Sequence, residues 1–277
     1  MASDQPSSAG AISREGPASP QSLSAEEFNV PDSASSDFWD ARYRVAPESP
    51  TLGDYLRRLG PLCRDVVLEL RVHLHRLDPR HQRVADIGGG QGALLALLVD
   101  ESNDRYLFDL SPEAVATARR LYGLQNAHVL DIVQTPGTPF GQFDLILCSE
   151  VIEHISPVQH PAFIAALHRW LKPGGYLVLS TPNLASLSSR LRLAIGLQPL
   201  VLAIDPLSHI APMIHARIES LLGAQGFRPI VVRSTLARVV GCTWSLRLPL
   251  RFWLGEHLVG TWQKLPLGST HHHTGQH

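Results

Sequence analysis

From Arg83 onward the chain alternates short, nearly continuous apolar runs with longer stretches whose apolar residues recur every three or four positions. The short runs cover residues 84–87, 105–109, 127–132, 143–148, 176–180 and 227–233. Apolar runs of that length, bounded by Gly, Pro, Asn or Asp, predict strands. A further strand over 257–264 is weakened by Gly260. The stretches between them predict helices. Residues 94–99 follow a glycine turn, and Ser111-Pro112-Glu113 supplies a cap residue, a proline and an acid for a helix start. Phe163, Leu167, Trp170 and Leu171 form one helical face, which Lys172-Pro173-Gly174-Gly175 stops. Ile214, Ile218, Leu221 and Leu222 form another, with Gly226 behind it. Strand and helix in alternation predict an α/β fold, doubly wound, with a mostly parallel sheet covered on both faces.

The flanks break this rhythm. Residues 1–36 are rich in Ser, Ala and Pro and predict a disordered tail. Residues 37–80 predict N-terminal capping helices. They open with the aromatic cluster Phe38-Trp39-Asp40-Ala41-Arg42-Tyr43, and Gly60-Pro61 interrupts a helical period between Leu52 and Leu77. His73 and His75 on this stretch read as core or surface histidines. The main domain is assigned to 81–264. Within it, 184–211 is too long for a plain loop and predicts a lid, and 235–255 predicts a second insertion. The second brings Trp244, Trp253, Arg238, Arg247 and Arg251, a mixture suited to a greasy or anionic substrate or to peripheral contact with a membrane face. Residues 265–277 read as a flexible tail whose His271-His272-His273 is inert.

Composition narrows the classes. With 277 residues and a formal net charge of −1, nothing favours nucleic acid as a partner. Cys63, Cys148 and Cys242 lack metal spacing and fit a reducing compartment. No apolar run reaches the ~18 residues of a membrane span, and the start lacks the apolar core of a signal peptide. A cytoplasmic protein is the expectation.

The chemistry gathers at Val84-Ala85-Asp86-Ile87-Gly88-Gly89-Gly90-Gln91-Gly92-Ala93. Strand, glycine turn and helix in that order offer bare backbone and free N–H groups to a nucleotide-like cofactor. Gly88, Gly90 and Ala93 satisfy the dinucleotide fingerprint, with Asp109 as its later acid. Asp86 discriminates. A carboxylate just before the turn opposes a pyrophosphate and suits a cationic end, such as the amino group of S-adenosylmethionine. In an open parallel sheet the ligand lies at the carboxyl ends of the strands. Asp109, with Leu110 beside it, is placed for the ribose hydroxyls, and Asp131-Ile132 for the adenine amino group and ring. Ser149 and Glu150 follow the fourth strand on the same edge.

The run Asp86-x-Gly88-x-Gly90-x-Gly92 resembles the first motif of class I S-adenosylmethionine-dependent methyltransferases. Glu150-Val151-Ile152-Glu153-His154, Leu171-Lys172-Pro173-Gly174-Gly175 and Ser180-Thr181-Pro182-Asn183 are similar to the matching stretches of the ubiquinone-biosynthesis O-methyltransferase group. His209-Ile210 resembles another recurring position, and the likeness runs from about Arg83 to Arg233. It implies a seven-stranded sheet with a final antiparallel strand, bound S-adenosylmethionine, and an aromatic segment at 38–43 that covers the cofactor.

On that footing the expected reaction is O-methylation of a small, apolar acceptor. His154 is the candidate base, with Glu153 beside it, since an imidazole titrates near neutral pH. An alternative comes from the Glu-x-x-Glu-His spacing. On a helix, Glu150, Glu153 and His154 share a face and would hold a divalent metal, with His209 or His215 as a further ligand. The small-RNA 3′-terminal 2′-O-methyltransferases carry the same arrangement; a metal is not required by the main reading, and nucleic acid is not the expected partner. Two other readings are a dinucleotide-dependent oxidoreductase and a cofactor-binding module without catalysis.

Overall fold

The computed structural model describes residues 35–44, 51–235 and 254–265. The predicted N-terminal tail, most of the 235–255 insertion with its Trp and Arg residues, and the C-terminal histidines lie outside them.

Three helices precede the sheet: α1 (Ser36–Arg44), α2 (Leu52–Arg58) and α3 (Pro61–Leu77). The break at Gly60-Pro61 falls where the sequence places it, with Pro61 at a helix start, where its missing N–H costs nothing. The chain then runs β1 (Arg83–Ile87), α4 (Ala93–Leu98), β2 (Asp104–Asp109), α5 (Pro112–Tyr122), β3 (Ala127–Val129), β4 (Phe143–Ser149), α6 (His160–Trp170) and β5 (Leu171–Pro182). The segment predicted as a lid holds α7 (Leu187–Ala194) and α8 (Leu200–Ile204). After it come α9 (His215–Ala224), β6 (Phe227–Ser234) and β7 (His257–Lys264). The sheet has seven strands in the order β3-β2-β1-β4-β5-β7-β6. β1 to β5 pair in parallel, and β7 runs antiparallel between β5 and β6.

The strands are apolar throughout because both faces are covered. Ala85, Ile87, Ile146, Cys148, Leu177 and Leu179 enter one core with α6 and α9. Val84, Leu145, Leu147 and Val178 alternate with them and enter a second core with α3, α4 and α5. Gly260 does not weaken β7. A Cβ there would come within 2.2 Å of the Trp262 ring, so the glycine opens the space in which that buried indole lies. His73 is a core histidine, with Nδ1 2.8 Å from Thr261 Oγ1 on β7, and His75 is exposed.

Two boundaries differ from the sequence reading. β3 ends at Val129 rather than reaching 132, because the Asp131 carboxylate takes the N–H groups of Val133 (2.7 Å) and Gln134 (3.3 Å) and turns the chain. Lys172 to Gly175 do not separate α6 from the strand. β5 already begins at Leu171, and these four residues bulge between the Phe143↔Leu171 and Leu145↔Tyr176 pairs. Lys172 Nζ pins the bulge with bonds of 2.8 Å to each oxygen of Asp144.

Gly92, at φ 83° ahead of α4, belongs to this packing. A Cβ there would stand 2.7 Å from Leu124 Cδ1 and 3.0 Å from the Ala118 Cβ. Gly92→Ala is expected to cost about 1–3 kcal/mol through overpacking and a left-handed non-glycine backbone. Chemical denaturation that finds no loss would remove this assignment.

Candidate active site

The turn after β1 is tied to the end of β2. Gly88 N–H donates to Phe108 O at 2.7 Å, and Gly90 N–H donates to Asp109 Oδ2 at 2.8 Å. Ser111 N–H, at the start of α5, donates to Asp109 Oδ1 at 2.9 Å. Each Asp109 oxygen therefore holds a backbone group and keeps acceptor capacity for a ligand hydroxyl. Burial raises the Asp109 pKa, and the bonds from Ser111, Gly90 and Leu110 pull against it.

Asp86 is different. It is 1% exposed, neither carboxylate oxygen has a hydrogen-bond partner, and it lies beneath the turn, where a Cβ on Gly89 would be 2.7 Å from it. Burial, and then the charge of Asp109, push its pKa up to about 8. A buried carboxyl without partners keeps acceptor capacity for a cationic group that would draw its proton off.

Gly88, Asp109, Leu110, Asp131, Ile132, Glu150 and His154 all line one cleft, at the carboxyl edge where the strand order reverses between β1 and β4. Five other predicted residues, Asp86, Gly90, Gly92, Ser149 and Glu153, stand behind this lining. Gly90 faces Tyr43, whose hydroxyl would be 2.6 Å from a Cβ on the glycine. Ser149 Oγ is bonded to Ser180 Oγ at 2.8 Å. Phe108, Leu130, Val133 and Phe163 add apolar walls that no motif announced. They belong to ordinary core runs, so the sequence carries no signal for them.

α1 closes the cleft with Trp39 and Tyr43. It buries no residue fully and is held by polar contacts. Asp40 accepts the Ser111 hydroxyl and the Glu113 N–H (3.1 Å) at the start of α5, and Arg42 pairs with Asp205 at 2.9 Å. The Trp39 ring meets the His154 ring edge-on at 4.9 Å.

Beyond β4 the chain does not form the α-helix that would align Glu150, Glu153 and His154. Glu150 has φ 57°, and Ile152–His154 is a single 3-10 turn. Glu150 swings to Ser180 and His257 instead. Glu153 is fully buried; Thr181 Oγ1 donates to its Oε2 at 2.9 Å, while Oε1 has no hydrogen-bond partner. Burial, reinforced by Glu150, raises its pKa well above the carboxylate range. His154 Nδ1 lies 2.8 Å from Ser208 O, which makes it the N–H donor and leaves Nε2 the basic nitrogen, 3.9 Å from Glu153 Oε1. Burial lowers the His154 pKa, so the ring is neutral at pH 7. His209 Nδ1 is likewise 2.8 Å from Val201 O. One ligand atom each from Glu153, His154 and His209 lie within 4.8 Å of one another. His209 thus takes the place the sequence reading gave to Glu150, while His215 pairs with Glu219 at 3.7 Å and stays apart.

The segment carrying Ser208 and His209 turns an apolar face outward: Leu191, Leu193, Ile195, Leu197, Ile204 and Leu207 are exposed. Among the described residues no helix is long and apolar enough to cross a membrane.

The strand order, the single reversed strand and the cleft at the β1–β4 switch define the class I methyltransferase fold. Residues 55–232 match the methyltransferase domain family, and the chain belongs to it. It is 34% identical over 151 residues to a ubiquinone biosynthesis O-methyltransferase of Xanthomonas oryzae pv. oryzae, a match covering 53% of this chain and 56% of that protein. A protein of the same name from Photorhabdus laumondii is 25% identical over 172 residues, covering 60% of this chain and 65% of its own. The chain thus spans a little over half the length of these relatives. Two solved structures share the fold. The N-methyltransferase NodS of Bradyrhizobium japonicum, in complex with S-adenosylhomocysteine, has a TM-score of 0.56 at 14% identity, covering 84% of this chain and 99% of its own. The magnesium protoporphyrin IX methyltransferase of Synechocystis, also with bound S-adenosylhomocysteine, has a TM-score of 0.54 at 19% identity, covering 83% and 97%.

The state of Asp86 predicts a pH dependence. Its pKa rises on folding from 3.8 to about 8, so the folded chain holds the proton more tightly. That contribution to stability is full below about pH 4 and is lost as pH rises through 8. The melting temperature of cofactor-free Asp86→Asn minus that of the wild type should therefore grow from pH 5 to pH 8 and then level off. A constant difference would show that Asp86 ionises in the folded state as it does in the unfolded chain.

Proposed function

We propose that this protein transfers a methyl group from S-adenosylmethionine to an oxygen of a small, apolar acceptor. One observation carries the reading: the ribose-type carboxylate Asp109, the turn over the unpartnered Asp86 and the basic nitrogen of His154 meet at a single cleft.

The residues fit the cofactor. Asp109 would take the ribose hydroxyls, Asp131 and Ile132 the adenine, and the turn over Asp86 the ammonium end. When bound, S-adenosylmethionine supplies an electrophilic methyl on its sulfonium. The protein's part is alignment, exclusion of water and removal of a proton. Trp39 and Tyr43 shut out water. His154 Nε2 accepts the acceptor's hydroxyl proton, with Nδ1–H anchored on Ser208 O so that the ring presents the correct nitrogen. The outward apolar face of α7 and α8 supports an apolar acceptor, and contact with a bilayer surface would fall on the same face.

Calorimetry should find S-adenosylmethionine binding, weakened at least tenfold in Asp109→Ala, while Asp109→Asn keeps the fold and loses less. Unchanged affinity in a folded Asp109→Ala protein would overturn the ribose assignment. Incubating a cell extract with a deuterium-labelled methyl donor and reading the mass shift identifies the acceptor.

A second reading of the same residues rests on Glu153, His154 and His209. Both imidazoles turn Nδ1 to a backbone carbonyl, the arrangement that orients histidines toward a metal, and Glu153 Oε1 faces them without a hydrogen-bond partner. These residues fit a divalent cation that would hold and polarise the acceptor oxygen. The two readings separate cleanly. If His154 acts as base alone, His154→Ala lowers turnover by about 10²–10⁴-fold, and neither chelation nor His209→Ala matches it. If a cation is held, chelation and His209→Ala both abolish turnover, and added metal restores the chelated wild type.

A further inference from the structure

A second histidine, His257 on β7, reaches a residue that lines this cleft. Glu150 lines the cleft between the turn and His154, and its neighbour Val151 lies against Gly88, 2.6 Å from where a Cβ would stand. Its backbone is at φ 57°, a conformation that costs a non-glycine residue energy and persists where surrounding contacts impose it. Those contacts are specific. Glu150 N–H donates to Ser180 O at 3.0 Å, and Ser180 Oγ donates to Glu150 Oε1 at 2.7 Å. His257 Nε2 stands 3.3 Å from Glu150 Oε2.

His257 is itself fixed. It begins β7, opposite Pro182 at the end of β5, and its backbone is tied to Thr235: His257 N–H donates to the Thr235 side-chain Oγ1 at 3.0 Å, and Thr235 N–H donates to His257 O at 2.9 Å. The His257 side chain is nearly covered. Burial alone would lower its pKa, yet Glu150 first, and then Glu256 and Asp65, hold it raised. The pKa of the paired Glu150, which is half-buried, is lowered by His257 and Ser180 against the cost of desolvation.

We propose that His257 is a positioning residue for methyl transfer: it pins the Glu150 carboxylate at the wall of the cleft and cancels its charge. The inference rests on the cofactor reading above. Its physical content is selectivity between two charge states of one ligand. The donor carries a sulfonium cation and the product, S-adenosylhomocysteine, carries a neutral sulfur. An uncompensated carboxylate on the wall would favour the charged donor over the transition state, in which that charge is being lost, and would slow the step. With His257 in place, Glu150 supplies shape and a hydrogen-bonding edge without that penalty.

The test is the ratio of S-adenosylmethionine to S-adenosylhomocysteine affinity, measured by calorimetry on the full chain. His257→Gln keeps a donor and removes the cation, and its melting temperature establishes that it is folded. The expected result is a ratio shifted toward S-adenosylmethionine by about tenfold, which is ~1.4 kcal/mol, with kcat reduced. In a Glu150→Gln background the same His257→Gln change should leave the ratio unmoved, because the charge it released is gone. A wild-type ratio in folded His257→Gln, or an equal shift in the Glu150→Gln background, overturns the proposal. Wild-type protein that binds neither compound overturns the cofactor reading instead.

Discussion

The hydrogen bond from Gly90 N–H to Asp109 Oδ2, 2.8 Å long, joins the turn after one parallel strand to the last residue of the next. It exists because the β1–β2 register sets Ile87 opposite Phe108 and so brings Gly88 and Asp109 to one edge of the sheet. From that bond follow the path of the turn, the start of α4 and the mouth of the cleft. The same register sends Asp86 inward, opposite Leu107. One carboxylate is thus satisfied by backbone N–H groups while its neighbour two residues before the turn has none. A folded chain tolerates a partnerless buried carboxyl by keeping it protonated, and such departures from packing rules gather where a ligand completes them.

The sheet was legible in the residues because its strands are buried on both faces and stand out as apolar runs. β1, β2, β4, β6 and β7 fall within a residue or so of where those runs place them. The two errors came from side-chain bonds that a hydropathy pattern does not contain: Asp131 capping its own turn at the end of β3, and Lys172 pinning the bulge of β5 onto Asp144. The acids and the glycine on the cleft wall, Gly88, Asp109, Asp131 and Glu150, were readable as residues at one edge of the sheet. The wall's apolar half was not, since Phe108 and Phe163 read like any core residue. The 150–154 segment shows the limit most clearly. Its spacing fits a helical face, but the positive φ of Glu150 turns that carboxylate toward β7 and leaves His209, more than fifty positions on, to join Glu153 and His154.

Access to the cleft is governed by weak anchors. α1 crosses the opening with no fully buried residue, held by Asp40 on the start of α5 and by Arg42 on Asp205. Contacts of this kind release at small cost compared with the apolar cores beneath. Asp205 also accepts the N–H of Ser208 (3.2 Å) through its side chain and that of His209 (3.2 Å) through its carbonyl. α1 is therefore joined, through one aspartate, to the segment that orients His154.

Asp86, Glu150 and Glu153, at or behind the wall of the cleft, are acidic groups that the fold treats in three different ways. Asp86 is held neutral by burial until a cation arrives. Glu153 is held neutral by burial and by the charge of Glu150. Glu150, whose pKa is lowered, stands 3.3 Å from His257, whose pKa the same pairing raises. Under the proposed function, three free carboxylates would bind a cationic donor tightly and hold it in the ground state, since uniform attraction to a charge that disappears on reaction opposes turnover. Had all three been apolar, nothing would recognise the ammonium end or receive a metal. The arrangement keeps acids in reach while their net field on the reacting atoms stays small, and a cation entering beside Glu153 would reverse that balance locally by drawing its proton off.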